Sequence, residues 1–177
     1  YSQIANIKLQ QNKSEEIKTI LNKIGLFSRE IIDKTGDAVW AVKASNDSLK
    51  NLILRMESYA ASLLGSANIN FTIDYNEIDF EMKLEMIQRK NIFLIFKEAI
   101  HNIIKYAHCT EVKIHIKRMS KQIQIQIIDN GTGFSLITFK GLHDEDRSSE
   151  VYNGNGIKNM KSRAEEIGGS FEIASVK

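Results

Sequence analysis

Three polar side chains on one stretch of sequence could act on a ligand together. Glu98, Asn102 and Lys105 stand four and three residues apart, so on a helix they share one face. A carboxylate, an amide and an ammonium then stand side by side, two of them charged and all able to hydrogen-bond. A wheel at about 100° per residue puts Ile92, Phe93, Phe96, Ile100, Ile103, Ile104 and Ala107 on the other side, which gives the stretch a buried face and a wet one. Taken alone, the polar trio fits an ordinary solvated helix surface equally well. Two later segments bear on the choice. Asp129-Asn130-Gly131-Thr132-Gly133-Phe134 puts an acid at a strand end ahead of two glycines. Such a carboxylate can accept a hydrogen bond from an exocyclic amine, and glycine lets a flat ligand approach the backbone; a plain Asn-Gly turn is the alternative. Gly154-Asn155-Gly156 then opens a helix from Ile157 to Ile167. Free N–H groups at a glycine-rich helix start favour a phosphate, a flexible loop feeding a helix being the plainer reading. No glycine loop ends in Lys-Ser or Lys-Thr, which disfavours a P-loop enzyme.

These segments need a frame to bring them together. Ile69, Phe71 and Ile73 alternate with polar residues, as do Val112, Ile114 and Ile116, and from Gln122 to Ile127 Ile and Gln alternate strictly. Each run predicts a strand with one buried face. The helix around Glu98 lies between the first strand and the other two and ends near His108; a second helix follows Gly156, and Phe171 and Ile173 begin a last strand. The order strand, helix, strand, strand, helix, strand predicts an α+β fold, a two-layer sandwich with helices covering one face of a mixed sheet. Ser135–Asn153 is polar, poorly periodic and long for a bare connection, so it reads as a lid.

Residues 1–42 have a different period. After an interruption at Asn12, Lys13 and Ser14, the residues Ile17, Ile20, Leu21, Ile24, Phe27 and Ile31 recur in three- and four-residue steps, ringed by Glu15, Glu16, Lys18, Arg29 and Glu30. That narrow seam suits a helix packing in a bundle. Asn46 and Asp47 are expected to start a further amphipathic helix through Leu49, Leu52, Ile53, Met56, Tyr59, Ala60 and Leu63, with Gly65 as its stop. The expected division is therefore 1–42 and 43–177.

Composition narrows the classes of function. The 177 residues are 42% hydrophobic and 26% charged, as in a globular protein with a real core. No apolar run approaches the roughly 20 residues of a membrane helix. Lys and Arg outnumber Asp and Glu 24 to 22, interspersed along the chain, so a nucleic-acid partner lacks its electrostatic footprint. Cys109 is the lone cysteine, which excludes an internal disulfide and suggests a reducing, cytoplasmic setting. Tyr1–Gln11 has neither a basic segment nor an apolar signal core and reads like the middle of a helix.

Together the motifs resemble the nucleotide-binding boxes of the Bergerat-type ATPase domain shared by sensor histidine kinases, gyrase, heat-shock chaperones and mismatch-repair proteins. Lys97–Ala107 is similar to the N box, Asp129–Phe134 to the first glycine box and Gly154–Gly169 to the second. Gly154–Ala164, ending in Gly168-Gly169, looks like the sensor-kinase subfamily whose catalytic domain follows a short two-helix dimerisation and phosphoacceptor unit. Val39-Trp40-Ala41-Val42 with Asn46-Asp47-Ser48-Leu49 resembles the junction after that unit.

The resemblance implies roles. Asn102 would offer its oxygen to Mg²⁺ brought by the ATP phosphates, and Glu98 would hold the metal's water or act as a base. Lys105 would add positive charge near the phosphates and Asp129 would receive the adenine amino group. Gly131, Gly133, Gly154, Asn155, Gly156 and Ile157 would shape the pocket and its lid. Tyr106 stands where the family often has histidine, and His101 where a second asparagine or an apolar residue is common. The family's last strand continues into a hairpin, so a chain ending at Lys177 is expected to lack one strand.

A kinase of this kind phosphorylates a histidine, and His101, His108, His115 and His143 are the four present. His143-Asp144 imitates the acceptor's acidic neighbour but lies in the lid, and the others fit structural or surface roles. The resemblance puts the acceptor before Tyr1, so this segment is not expected to phosphorylate itself. The implied partners are that upstream helix, a response regulator and a second copy in a homodimer, with no membrane contact by this segment. Two other readings stay open: a nucleotide-gated interaction module with the same pocket but no histidine transfer, and an ATP-hydrolysing clamp, in which the helix from Ser14 to Trp40 has no place.

Overall fold

The computed structural model describes residues 14–76, 78–119, 122–133 and 155–175. Expectations at Tyr1–Gln11, Phe134, the Ser135–Asn153 lid with His143, and Gly154 lie outside them. The chain divides into two compact units, Tyr1–Ala44 and Ser45–Lys177.

In the first unit the three- and four-residue steps produce one helix, α1, Ser14–Val42, with Glu15 and Glu16 in its first turn, where acidic side chains complement the helix dipole. Ile17, Ile20 and Ile24 of its seam are half-buried, while Leu21, Phe27 and Ile31 are exposed.

The second unit opens with α2, Leu49–Ser66. Its start differs from the expected one. Asn46 belongs to a short 3-10 turn, Ala44–Asn46, and Ser48 is the cap, its hydroxyl accepting the Asn51 N–H at 3.3 Å. Asp47 is occupied elsewhere: its carbonyl accepts from Leu84 N–H at 2.7 Å. Gly65 does not stop the helix either; the chain leaves it at Asn68, with φ at 55°, a left-handed conformation that asparagine tolerates.

Strand β1, Asn70–Asn76, pairs in parallel with β2, Glu111–Met119, which pairs antiparallel with β3, Gln122–Asp129. Among the described residues these make a mixed sheet in the order β1-β2-β3. The alternation read from the sequence has its physical counterpart: Val112, Ile114 and Ile116 are buried, Lys113 and Lys117 are not. Helix α3, Met86–Asn102, supplies the crossover between β1 and β2, and α4, Asn155–Glu166, packs beside it.

The core of this unit lies between helices and sheet. Leu52, Met56, Ala60 and Leu64 of α2, Phe93, Phe96 and Ile100 of α3, the three β2 residues, and Met160 and Ala164 of α4 are buried, the larger of them contributing about 1.5–3 kcal/mol each. The result is the α+β fold expected, with one correction. Phe171–Ser175 forms no strand. A strand exists through its neighbour's hydrogen bonds, and Phe171–Ser175 makes no ladder with β3, whose described pairing is to β2 alone.

Candidate functional site

Helix α3 is the backbone of the site. Gln88 Oε1 accepts the Glu85 N–H at 2.9 Å at its start, satisfying one of the end groups a helix leaves open. The buried guanidinium of Arg89 donates to the Leu84 carbonyl. At the other end the winding changes: Ile103–Ala107 forms a π-helical turn, closed by His108 at φ 52°. Such turns are rare and concentrate at functional sites. The wider turn explains why the wheel fails there, since Ile104, assigned to the apolar side, is exposed.

Glu98 and Asn102 are half-buried on α3, and Lys105 and Tyr106 are exposed on the π turn. The side chains of Glu98, Asn102 and Lys105 make no hydrogen bond or ion pair to any described residue. An amide and a carboxylate, partly removed from water and without hydrogen-bond partners among the described residues, can turn to a ligand.

The loop after β3 closes onto the end of this helix. Asp129 Oδ1 accepts the Gly131 N–H at 3.0 Å, so the Asn-Gly turn is an Asx turn built by the aspartate itself. Thr132 N–H donates to the Ala107 carbonyl at 2.9 Å, capping an otherwise orphaned group of the π turn. Gly131 lies so close to Ala107 that a Cβ would collide with that carbonyl and lie 2.8 Å from its carbon. Gly133 has φ 65°, which favours glycine. Asn130, read from sequence only as turn chemistry, is a fastener: its Oδ1 accepts the N–H groups of Thr110 at 2.9 Å and Glu111 at 3.0 Å. Burial, and after it the charge of Asp129, pushes the neighbouring Cys109 thiol up from its usual value.

The start of α4 meets the middle of α3. A Cβ on Gly156 would fall on Glu98 Oε1 and lie 3.0 Å from Cδ. Near its other end, Glu166 Oε2 accepts a hydrogen bond at 2.9 Å from Asn91 Nδ2, whose residue is buried. With Gly156 against Glu98 and Glu166 against Asn91, α4 runs antiparallel to α3. Asn155 is the first residue of α4, and Ile157 is half-buried in its first turn.

The structure thus brings Glu98 together with Gly156, and Asp129 together with Gly131 and, through Thr132, with the π turn that carries Lys105 and Tyr106. Sequence reasoning missed Asn91, Arg89 and Thr132. Asn91 and Arg89 are polar residues on a helix's inner side, where a hydropathy wheel shows only a gap; Thr132 acts through its backbone, which carries no side-chain signal.

A divalent cation fits this arrangement only with help. Among the described residues no group of three or more His, Cys, Asp or Glu could hold a metal. Asn102 and Glu98 carry hard oxygens, and so small a donor set suits a cation only where phosphates and water complete its shell.

Residues 87–177, just over half the chain, match the family described as histidine kinase-, DNA gyrase B- and HSP90-like ATPase. The sensor histidine kinase LiaS of Bacillus subtilis is 31% identical over 86 residues, 49% of this chain and 21% of the relative. The sensor protein VraS of Staphylococcus saprophyticus is 32% identical over 96 residues, 54% of this chain and 24% of the relative. The chain therefore spans about a fifth to a quarter of the length of these relatives. Among solved structures, the histidine kinase AdeS of Acinetobacter baumannii shares the fold with a TM-score of 0.51 at 17% identity, over 84% of this chain and 71% of that one.

Proposed function

The chain belongs to the histidine kinase-, DNA gyrase B- and HSP90-like ATPase family, and on that premise we propose that it is the catalytic part of a sensor histidine kinase. It binds Mg-ATP and passes the γ-phosphate to a histidine on an upstream helix of the same protein, for relay to a response regulator. The observation that carries this is the convergence on α3: its middle meets α4 at Glu98 and Gly156, and its end fastens the Asp129 loop through Ala107 and Thr132.

Asp129 accepts the adenine amino group, with Gly131 and Gly133 keeping the loop close to the ring. Asn102 offers its amide oxygen toward the cation that accompanies the phosphates, and Glu98 holds a water of that cation or takes the proton that the attacking imidazole loses. Lys105 adds positive charge, Tyr106 stands beside it, and the start of α4 (Asn155, Gly156, Ile157) offers backbone N–H groups. The imidazole–phosphorus bond forms as the bond from the γ-phosphorus to the bridging oxygen breaks, and ADP leaves. Such transfer needs mainly positioning and charge neutralisation; Mg²⁺, when bound, supplies the latter.

The exposed Leu21, Phe27 and Ile31 of α1 support a homodimer built on that helix. Among the described residues no helix is long and apolar enough to cross a membrane; a cytoplasmic setting, which supplies ATP, belongs to the same proposal. Titration calorimetry with a non-hydrolysable ATP analogue is expected to give saturable heat that strengthens with Mg²⁺, and no binding by the intact chain would overturn the reading. Acid-labile phosphate on an added upstream segment is expected next; ATP binding without it would favour the nucleotide-gated module.

A further inference from the structure

The α-to-π change in α3 falls between Asn102 and Ile103, at the residues assigned to the phosphate end of the pocket. On the core side that junction is held by Ile100 and Ile103, both buried. On its outer side His101 Nε2 and Tyr59 Oη of α2 are joined by a hydrogen bond of 2.9 Å. Tyr59 is a stiff post. Its ring stands edge-on to Phe93 at 5.7 Å and to Phe96 at 6.5 Å, both of them buried, and Lys97 Nζ lies over its face at 5.2 Å. A hydroxyl on so fixed a ring defines where His101 sits, and with it the rotation of α3 one residue before Asn102.

We infer that Tyr59 is a positioning residue for the nucleotide site, acting through its hydrogen bond to His101 to hold the helix in the winding that aims Asn102 and Lys105. The inference rests on the proposed nucleotide reading of the same site. Without the tether, the turn Ile103–Ala107 can relax toward ordinary α geometry, which turns Lys105 about the axis and carries the Ala107 carbonyl away from the Thr132 N–H.

The test uses the full chain and a non-hydrolysable ATP analogue, titrated in EDTA and in Mg²⁺. Tyr59→Phe keeps the aromatic packing and removes the hydroxyl. Its thermal midpoint is expected within about 2 °C of wild type, while the gain in affinity on adding Mg²⁺ falls about five- to tenfold. His101→Gln, which retains a polar atom at similar reach, is expected to keep that gain, His101→Leu to lose it, and Tyr59→Phe with His101→Leu to be no worse than either alone. A wild-type chain with no Mg²⁺-dependent gain would remove the nucleotide reading. A wild-type gain that Tyr59→Phe leaves intact would overturn this inference alone.

Discussion

The carboxylate of Glu98 lies against the α-carbon of Gly156, leaving no room for a methyl group between them. Through this contact the first turn of α4 reads the middle of α3, and the N-terminal end of a helix dipole faces a negative charge. The pair makes the arrangement testable at single-atom scale.

Gly156→Ala inserts a methyl group where Oε1 now sits, yet Oε1 is the tip of a flexible side chain and alanine is the better helix former. The unfolding free energy from urea titration is expected to change by no more than about 0.5 kcal/mol. Affinity for Mg-ATP, measured by calorimetry, is expected to fall about tenfold, roughly 1.4 kcal/mol, because Glu98 is pushed aside. Equal affinities in the two proteins would show that its position is immaterial.

Gly131→Ala meets backbone instead. The new Cβ would collide with the Ala107 carbonyl, which no side-chain rotation can relieve, so a loss of about 1–3 kcal/mol is expected in urea unfolding. The order is the sharper check: Gly131→Ala must be the more destabilising of the two alanine variants.

Asn102→Ala removes an amide that bonds to no described residue. Its circular dichroism and its affinity for the ATP analogue in EDTA are expected to match wild type, while the Mg²⁺-dependent part of binding disappears. An unchanged Mg²⁺ dependence would falsify the metal-side role assigned to it.

Asp129→Asn keeps an oxygen that can accept the Gly131 N–H, so the turn survives. A hydrogen bond to a charged acceptor is lost, at a cost of about 1.5–3 kcal/mol, roughly ten- to hundredfold in ATP affinity. GTP has no amino group at the same ring position, and its weaker binding is expected to stay as it was; a parallel fall for both nucleotides would argue for a structural role.

His101 gives a pH signature. Its folded value lies below the unfolded one, so between the two the unfolded chain binds more protons and stability is lost as pH falls through that window. The thermal midpoint of wild type is expected to drop more steeply from pH 7 to pH 5 than that of His101→Gln. Parallel curves would mean that the imidazole is unperturbed.

Most of the fold was legible because its signals are local. Strict Ile/Gln alternation marked β3 and a three- and four-residue period marked α1 and α2, since side-chain direction repeats within a few residues. Errors arose where a neighbour decides. Ser48, not Asn46 or Asp47, caps α2, with the Asp47 carbonyl held by Leu84 N–H, and Phe171–Ser175, patterned for a strand, forms none among the described residues.

By itself the sequence determined which chemistry is available: a carboxylate, an amide and an ammonium on one helix, an aspartate before two glycines, and a glycine at a helix start. Only tertiary structure decided which of them meet. Thr132 reaches Ala107 across 25 residues and Tyr59 reaches His101 across 42, separations at which periodicity carries no information. Those contacts form because the buried faces of α3, α4 and the sheet pack in one way, and packing is a property of the whole core rather than of any segment.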